Sequence, residues 1–134
     1  METYTELKTR QGVEFGEFPI CFAFSEKQLQ EALHKLGAKL ADVCTVGEGS
    51  VIKKADIAGF RGLTKRHKQE LQDAFNDDDF MIEAIDYELG NHEYGYTLDP
   101  SDTIRDLGLN LGKERDLRCF NIAKEQYLNA NKDN

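Results

Sequence analysis

Residues 76–110 read NDDDFMIEAIDYELGNHEYGYTLDPSDTIRDLGLN. Ten carboxylates, from Asp77 to Asp106, stand there against a single base, Arg105. The local charge is −9, whereas the other 15 acids and 16 bases nearly cancel. The net charge of −8 therefore resides in about a quarter of the chain. Within this stretch the spacing predicts a helix over 79–90. Met81, Ile82, Ala84, Ile85 and Leu89 fall on one side, while Asp79, Glu83 and Asp86 gather opposite them. Glu88 breaks the division, because it lies among the apolar residues. The polar run Asn76 to Asp79 supplies a cap, and Gly90-Asn91 supplies a stop.

The flanking motifs follow from the same rules. HEYGYT, His92 to Thr97, reads as extended, with Gly95 marking a bulge or a close backbone approach. Asp99-Pro100-Ser101-Asp102 starts a short helix anchored by Ile104 and Leu107 and ended by Gly108. Upstream, Thr3 and Glu6 have capping-box spacing before a helix over 3–16, and Ser25 and Gln28 repeat it before a helix over 26–36. Pro19 to Phe24 reads as a strand. Residues 42–54 read as a hairpin around Gly47-Glu48-Gly49-Ser50. Asp56 caps a helix over 57–75 whose Arg61, Lys65, Arg66 and Lys68 form a solvated basic face. Downstream, Asn110 caps a helix over 111–129 with Leu117, Phe120, Tyr127 and Leu128 on one face, and 130–134 is a frayed tail. The expectation is an α+β fold: one globular domain over 1–134, with four to five helices around a small antiparallel sheet.

Several function classes are disfavoured. A chain of 134 residues is long enough for one core without staples. Cys21, Cys44 and Cys119 are odd in number and widely spaced, so they read as buried reduced thiols and not as a disulfide or zinc framework. The opening METYTELK is too polar for a leader, and no apolar run approaches the ~20 residues of a membrane span. A cytoplasmic protein without membrane contact is expected. Its acidity disfavours direct nucleic-acid binding, which draws on Lys and Arg, and favours basic protein surfaces.

Two sets of residues are candidates for function. Asp79, Glu83 and Asp86 on one helix, with Asp99, Asp102 and Asp106 on the next, make a row of carboxylates that imitates phosphates and engages a basic groove. Tyr94 and Tyr96, bracketing Gly95, have the character of interface anchors. The second set starts from His67 and Glu88, each on the apolar side of its helix and each in need of a partner. Either they pair with one another as a structural contact, or they join His92 and Glu93 in a cluster for acid–base work or a divalent metal. His34 lies on the outer face of its helix. There is no HExxH or HxH, Asp77 to Asp79 lack EF-hand spacing, and no GK[ST] or GxGxxG follows the glycine-rich loop. No metal and no cofactor are expected.

The run from Tyr87 to Leu109, with TYTELK at the start and Phe18 to Gly37, resembles a group of small acidic proteins encoded by phages and mobile elements of gut-associated bacteria. HEYGYT is the most specific part of the likeness. The Glu88, His92 and Glu93 positions look similar in that group, although no activity or site carries over from it. The resemblance implies an accessory protein in the cytoplasm of a bacterial host. The leading expectation is a non-enzymatic binding protein whose acidic face, residues 77–106, engages a basic partner; the class of small acidic phage proteins offers a counter-defence inhibitor or nucleic-acid mimic, of anti-CRISPR or antirestriction type, as its example. Its partner is a basic host protein, such as a nuclease or another nucleic-acid-handling protein. The alternatives are a small metal-assisted or acid–base hydrolase built on His67, Glu88, His92 and Glu93, and a small-molecule-binding domain with a concave pocket.

Overall fold

The Thr3 hydroxyl accepts from the Glu6 N–H at 3.2 Å, and the Glu6 carboxylate accepts from the Thr3 N–H at 3.0 Å. This capping box opens α1 (Tyr4–Glu17) in the computed structural model, which describes residues 2–132. The elements that follow are β1 (Ile20–Phe22), α2 (Glu26–Leu36), β2 (Val43–Cys44), β3 (Ser50–Lys53) and α3 (Ile57–Ala74). After them come α4 (Asp78–Asn91), α5 (Tyr94–Thr97), α6 (Ser101–Leu107) and α7 (Glu114–Asn131). The α+β class holds, but the seven α-helices among the described residues exceed the expected four to five. The chain divides into two compact units: a sheet unit, Lys8–Glu70, and a helical unit that joins the chain through Leu7 to everything from Leu71 onward.

In the sheet unit, β3 is the central strand. It pairs antiparallel with β2, forming the expected hairpin, and with β1 on its other edge. Ala32 and Leu36 of α2 pack on Val51 of β3, with Cys21, Leu29 and Val43 around them. The Ser25 hydroxyl caps α2 by accepting from the Gln28 N–H, but the Gln28 side chain accepts from the Phe24 N–H instead of closing the box. Gly37, at φ 63°, ends the helix. A short 3₁₀ turn, Lys54–Asp56, precedes α3, and no α3 residue is fully buried.

In the helical unit, α4 packs along α7 and also against α5 and α6. Met81, Ala84, Ile85 and Leu89 of α4 are at most 3% exposed and meet Cys119, Phe120 and Ala123 of α7. Removing such side chains from water is worth about 1.5–3 kcal/mol each for the larger ones, which makes this layer the main support of the unit. The Asp77 side chain caps α4 by accepting from the N–H groups of Asp79 and Phe80.

Four expectations need correction here. HEYGYT is not extended: Tyr94–Thr97 forms the helical turn α5. The Tyr94 ring packs edge-on against Tyr127, whose hydroxyl accepts from the Gly95 N–H at 3.2 Å, and this packing overrides the strand preference of Tyr and Thr. The last helix starts at Glu114, not 111, because Asn110 turns its side chain to the Gly112 N–H at 2.9 Å. Leu117 and Leu128 are 42% and 37% exposed, so the buried face of α7 is Cys119, Phe120 and Ala123. That helix also runs to Asn131, into the expected tail, and residues 133–134 lie outside the described residues.

Candidate functional site

Glu88 and His92 are four residues apart, so the end of α4 stacks one above the other. The His92 N–H donates to the Glu88 carbonyl at 3.0 Å, which closes the helix. The His92 ring then stands among carboxylates from two helices. Its Nε2 is 2.7 Å from Oδ2 of Asp106 and 3.5 Å from Oε2 of Glu88, and its Nδ1 is 3.9 Å from Oδ2 of Asp102. Arg105 reaches Asp102 at 3.0 Å and Asp106 at 3.5 Å. One ligand atom from each of Glu88, His92 and Asp106 lies within 4.8 Å of the others.

Burial sets the character of this centre. Glu88 is 2% exposed, as its place on the apolar side of the helix required. The Tyr4 hydroxyl, from the first turn of α1, is hydrogen-bonded to its carboxylate. Burial, and next the Glu88 charge, push the Tyr4 phenol far above its ordinary range, so it stays a proton donor at any physiological pH. Thr103, three residues before Asp106 on α6, is fully buried, and its hydroxyl has no hydrogen-bond partner among the described residues.

The other candidate residues separate into different roles. His67 belongs to the sheet unit, where its Nε2 is 3.0 Å from Oε2 of Glu14, with Arg10 and Arg66 also on that carboxylate. His67 thus has Glu14 as its partner within the sheet unit, and Glu88 has His92 and Tyr4 within the helical unit. Glu93 is exposed and left-handed, at φ 57°. Glu83 accepts from the Tyr4 N–H at 3.2 Å. Asp86 is partly buried, which raises its carboxyl above the usual range. Asp78, beside the expected row, is bound by Arg115 and Arg118 at 2.6 and 2.9 Å. Asp99 accepts from the Ser101 N–H and hydroxyl. Much of the acidity thus serves helix starts and ion pairs, although Asp79, Glu83, Asp99, Asp102 and Asp106 of the anticipated row are all exposed. Tyr94 is 8% exposed and belongs to the core, whereas Tyr96 is 91% exposed.

The match to a family model extends over residues 3–126, which takes in both units and every residue of the His92 centre. The chain belongs to the family of unknown function DUF7659. Neither a curated protein nor a solved structure matches it.

For this DUF7659 chain the sequence exposed part of the centre. The Glu88–His92 spacing is visible by inspection, and so is the misplaced charge at Glu88. Tyr4 and Asp106 as their partners are not, because packing brings them in from α1 and α6. The sheet unit holds a concave feature. It is a pocket of about 440 Å³ between α2 and the hairpin, lined by Ala23, Leu29, Leu40 and Val43 with Ser25 and Thr45 among the polar groups. That volume is within the range of ligand sites. Among the described residues no helix is long and apolar enough to cross a membrane.

Proposed function

We propose that the protein is a binding module whose working surface is the turn around α5, and that its partner is a basic protein surface. One observation carries the reading. Tyr96 is 91% exposed and Leu98 is 65% exposed, on a turn bounded by two left-handed residues that are not glycine, Glu93 and Leu98. Strained backbone costs stability and clusters at binding sites, and neighbouring apolar side chains held outward mark interaction surfaces. The carboxylates of Glu93 and Asp99 flank them in the chain, within the segment of charge −9. An aromatic side chain among carboxylates suits Lys and Arg, which pair with the acids and lie over the ring. The resemblance to proteins of phages and mobile elements makes a nucleic-acid-handling host protein the partner of choice, since such proteins carry basic grooves.

The test is affinity capture from a bacterial lysate across a salt series. It uses the wild-type protein, Tyr96→Ser, Glu93→Lys, and Glu31→Lys in the sheet unit as a control. The expected result is a retained protein that is lost with Tyr96→Ser, weakened by Glu93→Lys and by high salt, and kept with Glu31→Lys. Retention that ignores both Tyr96→Ser and Glu93→Lys rejects the surface.

A further inference from the structure

We propose that Glu88, His92 and Asp106 form a binding site for a first-row divalent cation, with Zn²⁺ preferred over Mn²⁺. The inference is independent of the α5 surface.

Donor chemistry comes first. One imidazole nitrogen and two carboxylate oxygens suit Zn²⁺ and Mn²⁺, and the ordinary affinity order places Zn²⁺ above Mn²⁺. Mg²⁺ prefers an all-oxygen shell that retains several waters. Three protein ligands leave a fourth position for water or a ligand oxygen.

Geometry agrees. Ligand atoms bound to tetrahedral Zn²⁺ at ~2.0–2.2 Å stand about 3.3–3.6 Å apart. Nε2 of His92 and Oε2 of Glu88 are already 3.5 Å apart. The 2.7 Å contact with Asp106 has to open by less than about 1 Å, and Asp106 is the more exposed of the two carboxylates, at 38% against 2%. The surroundings resemble those of a ligating histidine. While Nε2 faces Glu88 and Asp106, Nδ1 lies 3.9 Å from Asp102, itself held by Arg105, and a closing of about 1 Å brings that carboxylate into hydrogen-bond reach. A carboxylate on the far nitrogen orients the ring and raises its basicity, and the Tyr4 hydroxyl fixes the Glu88 carboxylate in the same way.

Charge supplies the second line of argument. Three carboxylates, Glu88, Asp102 and Asp106, face Arg105 and one imidazole. Even a protonated His92 leaves this group net negative, and one of its carboxylates is almost wholly out of water. A dication balances that excess at the point where solvent cannot. The Thr103 hydroxyl on α6, without a partner among the described residues, is a further buried polar group beside this charge cluster in the chain.

The experiment strips the full chain with EDTA and titrates it calorimetrically with ZnCl₂, MnCl₂ and MgCl₂ in turn. Co²⁺ then serves as a spectroscopic probe of ligand geometry. Expected are one equivalent of Zn²⁺, weaker Mn²⁺, no Mg²⁺, and visible tetrahedral bands with Co²⁺. His92→Gln should lower Zn²⁺ affinity by at least about 100-fold, and Asp102→Asn by about 10-fold, the usual range for an orienting partner. His67→Gln and Glu93→Gln should leave it unchanged. Asp106→Asn, at a half-exposed position that tolerates change, decides the matter if His92→Gln does not fold. Absence of saturable Zn²⁺ uptake overturns the site, and so does uptake that Asp106→Asn leaves intact.

Discussion

The Tyr4 hydroxyl and the Glu88 carboxylate are hydrogen-bonded inside the core of the helical unit. The bond ties the first turn of α1 to α4, and it supplies a donor to a carboxylate that solvent hardly reaches. Tyr4→Phe removes the donor while keeping the ring that meets Phe80 and Tyr87 edge-on. The expected loss is about 1–3 kcal/mol in urea denaturation, the usual cost of leaving a buried charged acceptor short of a partner. Glu88→Gln in the Tyr4→Phe background should then cost less than Glu88→Gln alone. Effects that add to within about 0.3 kcal/mol show that the two groups do not act on each other.

Glu93 and Leu98 bracket α5 with positive φ, at 57° and 54°. A side chain in this region costs about 1–2 kcal/mol, while glycine there costs unfolded-chain entropy of up to about 1 kcal/mol. Leu98 is 65% exposed, so it gives up little burial when replaced. Leu98→Gly is therefore expected to leave stability unchanged or raise it by up to about 1 kcal/mol. The same change should weaken partner capture, since it removes an apolar side chain from the proposed surface. A drop of several degrees in melting temperature is the contrary result, and it makes Leu98 a structural residue.

How far the sequence foretold this arrangement depends on how local each signal was. The capping residues Thr3 and Ser25 and the stops Gly37 and Gly108 act within one helical turn, and each stands where its spacing placed it; Asp77 is one of four polar residues the sequence offered as a cap, and Gly90-Asn91 does not stop α4, which runs through Asn91 to a cap at His92. Glu88 was legible for the same reason, since a charge at an apolar helical position demands a partner. HEYGYT failed because its conformation is decided by Tyr127 on α7, which no local preference encodes. The row of acids was legible as composition. Its division among caps, ion pairs and the His92 centre was not, because Arg115, Arg118 and the Tyr4 N–H arrive through tertiary packing.

Gly49 sits in the hairpin loop at φ 70°, and a Cβ built on it comes within 2.3 Å of the Phe24 ring. The Ala23 N–H donates to its carbonyl at 2.7 Å, holding the end of β1 against the loop. Gly49→Ala therefore meets both backbone strain and a ring that must swing away, although Phe24 is 74% exposed and free on its outer side to do so. A loss of about 1–3 kcal/mol is expected. In the background of Phe24→Ala the cost should fall to the backbone part alone, about 1–2 kcal/mol. Equal costs in both backgrounds remove the ring from the explanation.

Glu14 provides a pH test within the sheet unit. The Arg66 guanidinium, then His67 and Arg10, pull its carboxyl down from the ordinary 4.5 to about 2. A folded value below the unfolded one means that the folded state holds the anion more strongly. The contribution is complete above about pH 4.5 and disappears as pH falls toward 2. Glu14→Gln lacks this contribution at every pH. Melting temperatures of the two proteins should differ most at pH 5–7 and converge as acid protonates Glu14 in the wild type. Asp78 and Asp99 are also held low, by Arg115 and by Ser101, and they give both proteins a common acid slope that cancels in the difference. A gap that stays constant from about pH 6 to pH 2.5 means that the Arg66–Glu14 contact acts by packing and not by charge.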